Sequence, residues 1–286
     1  MPAAPDPCNR PIGVFDSGVG GLTVLHELLV ALPHEDFVYL ADSARFPYGT
    51  RTAQELEQIG LEVAEELVAQ NVKLVVVACN SMTAAALPVL RRRMQETTLG
   101  VDVIGVVGPE AARAVAATRN GRIGLLATEA TVASGAYARA VTAVDAYVEL
   151  TSVACPGLAM MIQEPPGGEL FTPELEAMVR ECCAPVVAAG VDTVVLGCTH
   201  YPLIQPLIQR IAGPDVTTIT SGAALARQAA HALGSRGFDA APDKTGDYRF
   251  LCTGDVDAFR RDGTRFLQLP IATVAEAGGV STGVLR

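Results

Sequence analysis

Two cysteines in this chain occupy matching positions, each near the end of an unbroken apolar run: LVVVACNS over residues 74–81 and TVVLGCTH over residues 193–200. Each run is too short to span a membrane and too uniformly apolar for a half-exposed strand, so it reads as a parallel strand buried on both faces. That puts Cys79 and Cys198 at the carboxyl ends of central strands, where open α/β sheets bind their ligands. A free thiol titrates at about 8.5, and a helix N-terminus or a neighbouring cation lowers that value. Asn80 and Ser81 after the first cysteine, and Thr199 after the second, supply helix caps and backbone amides that favour a thiolate or a bound carboxylate. One thiolate acting as base and one thiol acting as acid can take a proton from one face of a carbon and return it on the other.

Other residues with chemical capacity lie close to these junctions. Asp16 and Ser17 end the first apolar run, in VFDSGVGG. Gly18, Gly20 and Gly21 there are expected to let the backbone turn tightly and approach a ligand. The run is not G-x-G-x-x-G and Asp16 would repel a pyrophosphate, so a dinucleotide site is not expected. A carboxylate at this place suits an ammonium group, a thiol's proton or a plain helix cap. His200, two residues beyond Cys198, can lower the thiol's pKa or relay its proton. The same pair also permits a Cys-His thiol hydrolase with Cys79 merely structural. A zinc site built from Cys79, Cys155, Cys198 and His200 lacks the paired C-x-x-C spacing, and no metal is expected. The only lysines are Lys73, entering a buried strand, and Lys244, in a polar loop. Neither suits an internal Schiff base, so no pyridoxal cofactor is expected, nor any other. Cys182, Cys183 and Cys252 read as packing residues.

The elements that must position these groups alternate strand and amphipathic helix. The first half offers PIGVFDSG (11–18), a helix from about Leu22, FVYLAD (37–42), a loop through 45–50, a helix, LVVVACNS, and DVIGVVGP (102–109). The second half offers RIGLLAT (122–128), a helix, AYVELTS (146–152), a helix over 174–189, TVVLGCTH, and VTTITSG (216–222). Ile12 maps onto Ile123, Cys79 onto Cys198 and Val103 onto Val216 with nearly one offset, which implies a duplicated plan. The expectation is an α/β fold of two similar parallel-sheet, three-layer domains related by a pseudo-twofold axis, with the site in the cleft between them. The first domain would span 1–106 and be completed by 222–286; the second would span 107–221. Within the tail, a helix over 223–233, an edge strand at DYRFLCTGD and a helix start at residues 273–276 are expected.

Bulk composition narrows the classes further. The 286 residues, half of them hydrophobic, suit two domains of ordinary size. The formal charge of −10, from 31 acidic and 21 basic residues, argues against nucleic-acid binding. The basic triplet Arg91–Arg92–Arg93 reads as a solvated helix end. No apolar stretch is long enough for a membrane span and the N-terminus lacks a secretory pattern, so a cytoplasmic chain with reduced thiols is expected, acting on a small molecule. A homodimer is compatible with this reading.

Asp16–Ser17, Pro47–Tyr48–Gly49, Cys79–Asn80–Ser81 and Cys198–Thr199–His200, in that order, are similar to the motifs of bacterial glutamate racemases, of the aspartate/glutamate racemase family. The resemblance runs from about Pro11 to Ala277. It implies cofactor-independent interconversion of L- and D-glutamate, an amino-acid substrate, and a D-isomer destined for peptidoglycan and cell shape. It implies that Cys79 and Cys198 are the two acid/base groups. It puts substrate contacts at Asp16, Ser17, Tyr48, Gly49, Asn80, Ser81, Thr199 and His200. A glutamate following a Cys-Pro segment assists the second cysteine in that family; here Glu164, after Cys155–Pro156, takes that place. The chain departs from the family's pattern at Ser81, usually threonine, and at Met82, usually alanine. Methionine there either reshapes the pocket or lies behind it. Related enzymes act on aspartate, hydantoins or maleate, which leaves the substrate more open than the reaction type. A racemase scaffold serving only to bind another protein is a further alternative.

Overall fold

The computed structural model describes residues 6–98 and 100–278. Among these residues ten parallel-paired strands form two sheets, the long apolar runs at their centres. The first sheet contains β1 (Ile12–Asp16), β2 (Phe37–Ala41), β3 (Leu74–Val77) and β4 (Asp102–Gly105). The second contains β5 (Arg122–Ala127), β6 (Glu149–Ala154), β7 (Thr193–Gly197) and β8 (Thr217–Ile219). Two tail strands, β9 (Tyr248–Cys252) and β10 (Val274–Glu276), join the first sheet. Every residue of β1, β2, β3 and β7 is buried, as continuous apolar runs between two helical layers require.

The strand orders are β10-β9-β2-β1-β3-β4 and β6-β5-β7-β8. Without the tail strands both sheets have the same doubly wound order, so the repeated plan expected from the sequence is present. Each reverses direction of winding beside its first strand, and the crevice at such a switch point is where ligands bind. Cys79 follows β3 and Cys198 follows β7, each next to that reversal.

Helices cover both faces. The helix Ala53–Ala69 begins with a reciprocal cap in which Thr52 receives the Glu55 amide and Glu55 receives the Thr52 amide. It buries Leu56, Ile59, Val63 and Leu67 against the first two strands and the helix Asn80–Thr97. A continuous apolar cluster runs from β1 and β2 through to β5 and β7, joining the two sheets in one core. Among the described residues no helix is long and apolar enough to cross a membrane.

Four local expectations are corrected. Residues 273–276 carry a Thr-x-x-Glu helix-start pattern, yet Val274–Glu276 form β10, because pairing with β9 satisfies a row of backbone groups that a single helical turn would not. Consequently β9 is not an edge: it lies between β2 and β10. Within the run AYVELTS, Tyr147 is exposed and the strand starts only at Glu149, where pairing with Arg122 of β5 begins. In DVIGVVGP the strand ends at Gly105 and a helix, Val107–Ala117, takes the remainder.

Lys73, next to β3, ties the tail to this sheet. Its ammonium meets the Glu35 carboxylate at 2.5 Å and donates to the carbonyls of Cys8 (3.0 Å) and Phe238 (2.7 Å). Both side chains are nearly inaccessible, at 1% and 4% exposure. Lys73→Met should therefore strand a buried carboxylate and lower the unfolding free energy by about 3–5 kcal/mol, read from urea denaturation. An unchanged midpoint would show the pair to be dispensable.

Candidate active site

Cys79 and Cys198 line one cavity at the junction of the two sheets. The cavity holds about 70 Å³ of open volume. That is far below the roughly 300–1,000 Å³ of ordinary ligand pockets, which limits an occupant to something small. Ser17, Tyr48, Gly49, Asn80, Ser81, Thr199 and His200 line it as well. Of the residues picked from the sequence, Asp16 and Glu164 do not.

Asp16 lies behind the wall, fully buried at the end of β1. Its Oδ1 accepts from the Gly18 amide (3.0 Å) and the Ser17 hydroxyl (3.3 Å), and its Oδ2 from the Thr199 hydroxyl (3.2 Å). Burial pushes its pKa up to about 6 against those donors. The neighbouring glycines serve this contact rather than a ligand. A Cβ on Gly20 would stand 2.4 Å from Thr199 Oγ1 and 2.5 Å from the His200 ring; one on Gly21 would stand 2.5 Å from Asp16 Cβ. The close approach expected of these glycines is made by protein to protein.

Glu164 is exposed at the end of the short helix Leu158–Gln163. The residue before it, Gln163, reaches the site: its Oε1 accepts from His200 Nε2 at 3.0 Å. With Nε2 donating, Nδ1 is the accepting nitrogen, and it faces the Cys198 sulfur at 3.6 Å. The histidine is packed between Phe46 and Phe266, with ring centroids 5.6 and 5.3 Å away. Burial, then the charge of Arg265, lowers its pKa to about 3, so it is a neutral imidazole here.

The thiols behave differently from the expectation drawn from helix caps. Burial drives Cys79 well above the ordinary thiol range, and the charge of Asp16 adds to it; the backbone amides of Met82 and Ser81 oppose this without prevailing. Burial pushes Cys198 up to about 12, opposed by the amides of His200 and Tyr201 and reinforced by Asp16 and Glu110. The site therefore holds two protonated thiols beside two buried carboxyls.

Hydroxyls complete the lining. The Ser81 hydroxyl pairs with Thr128 (2.8 Å), which pairs with Thr131 (3.0 Å), which returns to Ser81 (3.2 Å). Thr128 was missed in the sequence, although the offset that maps Ile12 onto Ile123 also maps Ser17 onto Thr128. Tyr48 turns its phenol to Asp42, which also receives Arg45 Nε (2.7 Å) and Thr253 Oγ1 (2.9 Å). Met82 lies behind the pocket: it is fully buried and fills the space left by Gly60, where a Cβ would meet its sulfur at 2.8 Å. Glu110, also missed, is fully buried and accepts from Asn80, Tyr137 and Ser221, with burial raising its pKa to about 8. Among the described residues no three His, Cys, Asp or Glu side chains are grouped to hold a metal ion.

The sequence pattern of Asp/Glu/hydantoin racemases matches residues 16–229, a span that contains both cysteine junctions. The chain belongs to that family. A glutamate racemase of Acidothermus cellulolyticus is 44% identical over 262 residues, covering 91% of this chain and 95% of its own. Glutamate racemase RacE1 of Bacillus anthracis superposes with a TM-score of 0.84 at 36% identity, covering 93% and 96% of the two chains. The glutamate racemase of Francisella tularensis, solved with D-glutamate, gives 0.85 at 32% identity over 96% and 98%.

The raised pKa of Asp16 has a signed consequence. Its folded value exceeds the unfolded one, so it stabilises the fold at low pH, and that stability is lost as pH rises from about 4 through about 6. The melting temperature of Asp16→Asn, relative to wild type, should therefore climb across this window and level off above it. A flat difference would mean the carboxyl titrates alike in the folded and unfolded chain.

Proposed function

We propose that this protein racemises glutamate by a two-base mechanism without a cofactor, Cys79 and Cys198 acting on opposite faces of Cα. The observation that carries the reading is that both thiols open onto one cavity from corresponding strand ends of two like-ordered sheets. In each turnover one sulfur removes the Cα proton as thiolate while the other delivers its proton to the opposite face; the reverse direction exchanges the roles. The high thiol pKa values make whichever thiolate forms a strong base. A zwitterionic substrate brings an ammonium charge into a cavity backed by the buried carboxyls of Asp16 and Glu110, and that charge favours ionisation of one thiol. The amides at the start of the helix Asn80–Thr97 and the hydroxyls of Ser81 and Thr128 suit the α-carboxylate, into which charge spreads when the proton leaves. His200, neutral and accepting from Cys198, holds that thiol's proton in line and is itself held by Gln163.

Within this reading the two bodies are residues 1–106 with 222–286, and 107–221. The named relatives and the substrate of the Francisella structure favour glutamate over aspartate. Met82 favours neither, since it faces Gly60 and not the cavity. A D-glutamate product places the chain in the cytoplasm, upstream of peptidoglycan. A Cys-His hydrolase is the weaker reading: His200 with a pKa of about 3 does not form the imidazolium that would stabilise a thiolate nucleophile.

Incubating either enantiomer of glutamate in D₂O should place deuterium at Cα of the opposite product. Cys79→Ala and Cys198→Ala should each reduce racemisation by at least about a thousandfold while leaving the fold intact by circular dichroism. Undiminished racemisation in either variant would overturn the two-base assignment.

A further inference from the structure

The hydrogen bonds around Asn80 leave one of its atoms unused. Asn80 lines the cavity and is 2% exposed. Its amide nitrogen donates to Glu110 Oε2 at 3.1 Å and to the Tyr137 phenol oxygen at 2.7 Å. An amide nitrogen has two hydrogens, so both are committed. Its Oδ1 is buried and accepts nothing from the protein. A buried acceptor left alone is unfavourable, and a donor that arrives with a ligand removes the deficit.

Glu110 and Tyr137 decide which way this amide faces. Tyr137 donates its single proton to Glu110 Oε2, so its oxygen can only accept from Asn80. Ser221 donates to the other carboxyl oxygen, Oε1. Turning the Asn80 amide over would set its oxygen against a carboxyl oxygen and a phenol whose proton is already placed. The arrangement survives protonation of Glu110, because a proton on Oε1 is received by Ser221, whose hydroxyl accepts as well as donates. The four residues come from the helices Asn80–Thr97, Val107–Ala117, Ala136–Val144 and the cap of Gly222–Gly234, so the orientation is set by tertiary packing.

We propose that Glu110, together with Tyr137, is a positioning residue that locks the Asn80 amide with its oxygen as the acceptor for the α-ammonium of the amino-acid substrate. The inference rests on the racemase reading and adds to it a group that recognises the ammonium without touching it. Glu110 makes no hydrogen bond to either thiol, but its charge raises Cys198, so the discriminating readout is selectivity between ligands with and without the ammonium rather than rate alone.

The test compares two ligands that differ in the ammonium alone. Calorimetric affinities for D-glutamate and for glutarate would be measured with wild type, Glu110→Met, Tyr137→Phe and Glu110→Gln, alongside steady-state racemisation. Glu110→Met should weaken D-glutamate about tenfold or more and raise KM more than it lowers kcat, with glutarate changed by less than about twofold. Tyr137→Phe, a milder change that keeps the ring packing, should show the same selectivity to a smaller degree. Glu110→Gln can keep its oxygen toward Asn80 and its amide toward Ser221, and should recover most of the affinity. Equal losses for both ligands, or no loss in Glu110→Met and Tyr137→Phe, would overturn the inference. A wild-type protein that neither binds nor exchanges glutamate would instead overturn the functional reading on which it stands. Should Glu110→Met fail to fold, the two-ligand comparison in Tyr137→Phe decides alone.

Discussion

The contact on which this molecule turns is a carboxyl with no access to water. Asp16 ends a strand of one sheet and receives the hydroxyl of Thr199, which follows a strand of the other. The backbone around it is pressed so close to Thr199 and His200 that only glycine fits at position 20. The two switch points are thereby held mouth to mouth, and the space left between them is small. Burial in that space sets the remaining chemistry: it neutralises His200, raises both thiols and keeps Asp16 and Glu110 partly protonated. A wider or wetter cleft would leave the same side chains with ordinary acidities.

Much of the fold was written in local patterns. Runs such as LVVVAC and TVVLGC are apolar on both faces, and that pattern suits few things other than buried parallel strands, so the alternation of strand and helix could be read directly. Where two patterns competed, tertiary pairing prevailed. Residues 273–276 had the start of a helix in their sequence, but the unpaired side of β9 was the stronger claim. The strand beginning at Glu149 was likewise fixed by its neighbour β5 and not by its own composition.

The cavity was legible to a lesser depth. Residues immediately after strands β1, β3 and β7 could be named because a strand end is a place in the sequence as well as in space. Thr128 obeyed the same rule and was recoverable from the repeat. Glu110 was not, since its partners lie 27, 30 and 111 residues away and nothing local marks a glutamate on an amphipathic helix as buried. Glu164 and Gln163 differ by one position, but at the end of a short helix one position is the difference between solvent and the imidazole of His200. The thiol acidities were misjudged for a related reason: helix caps are visible in sequence, whereas desolvation is a property of the assembled cavity.

The first sheet has a consequence for how the chain is made. Its strand β2 is flanked by β9, whose residues emerge from synthesis some two hundred positions later. All four strands of the second sheet lie between, so that sheet is complete on the ribosome while the first still shows a raw margin along Phe37–Ala41. The nascent protein is thus open to mispairing along one defined line until its last fifth is translated, and a truncation in that region removes the cover from a strand that sits in the middle of the finished sheet.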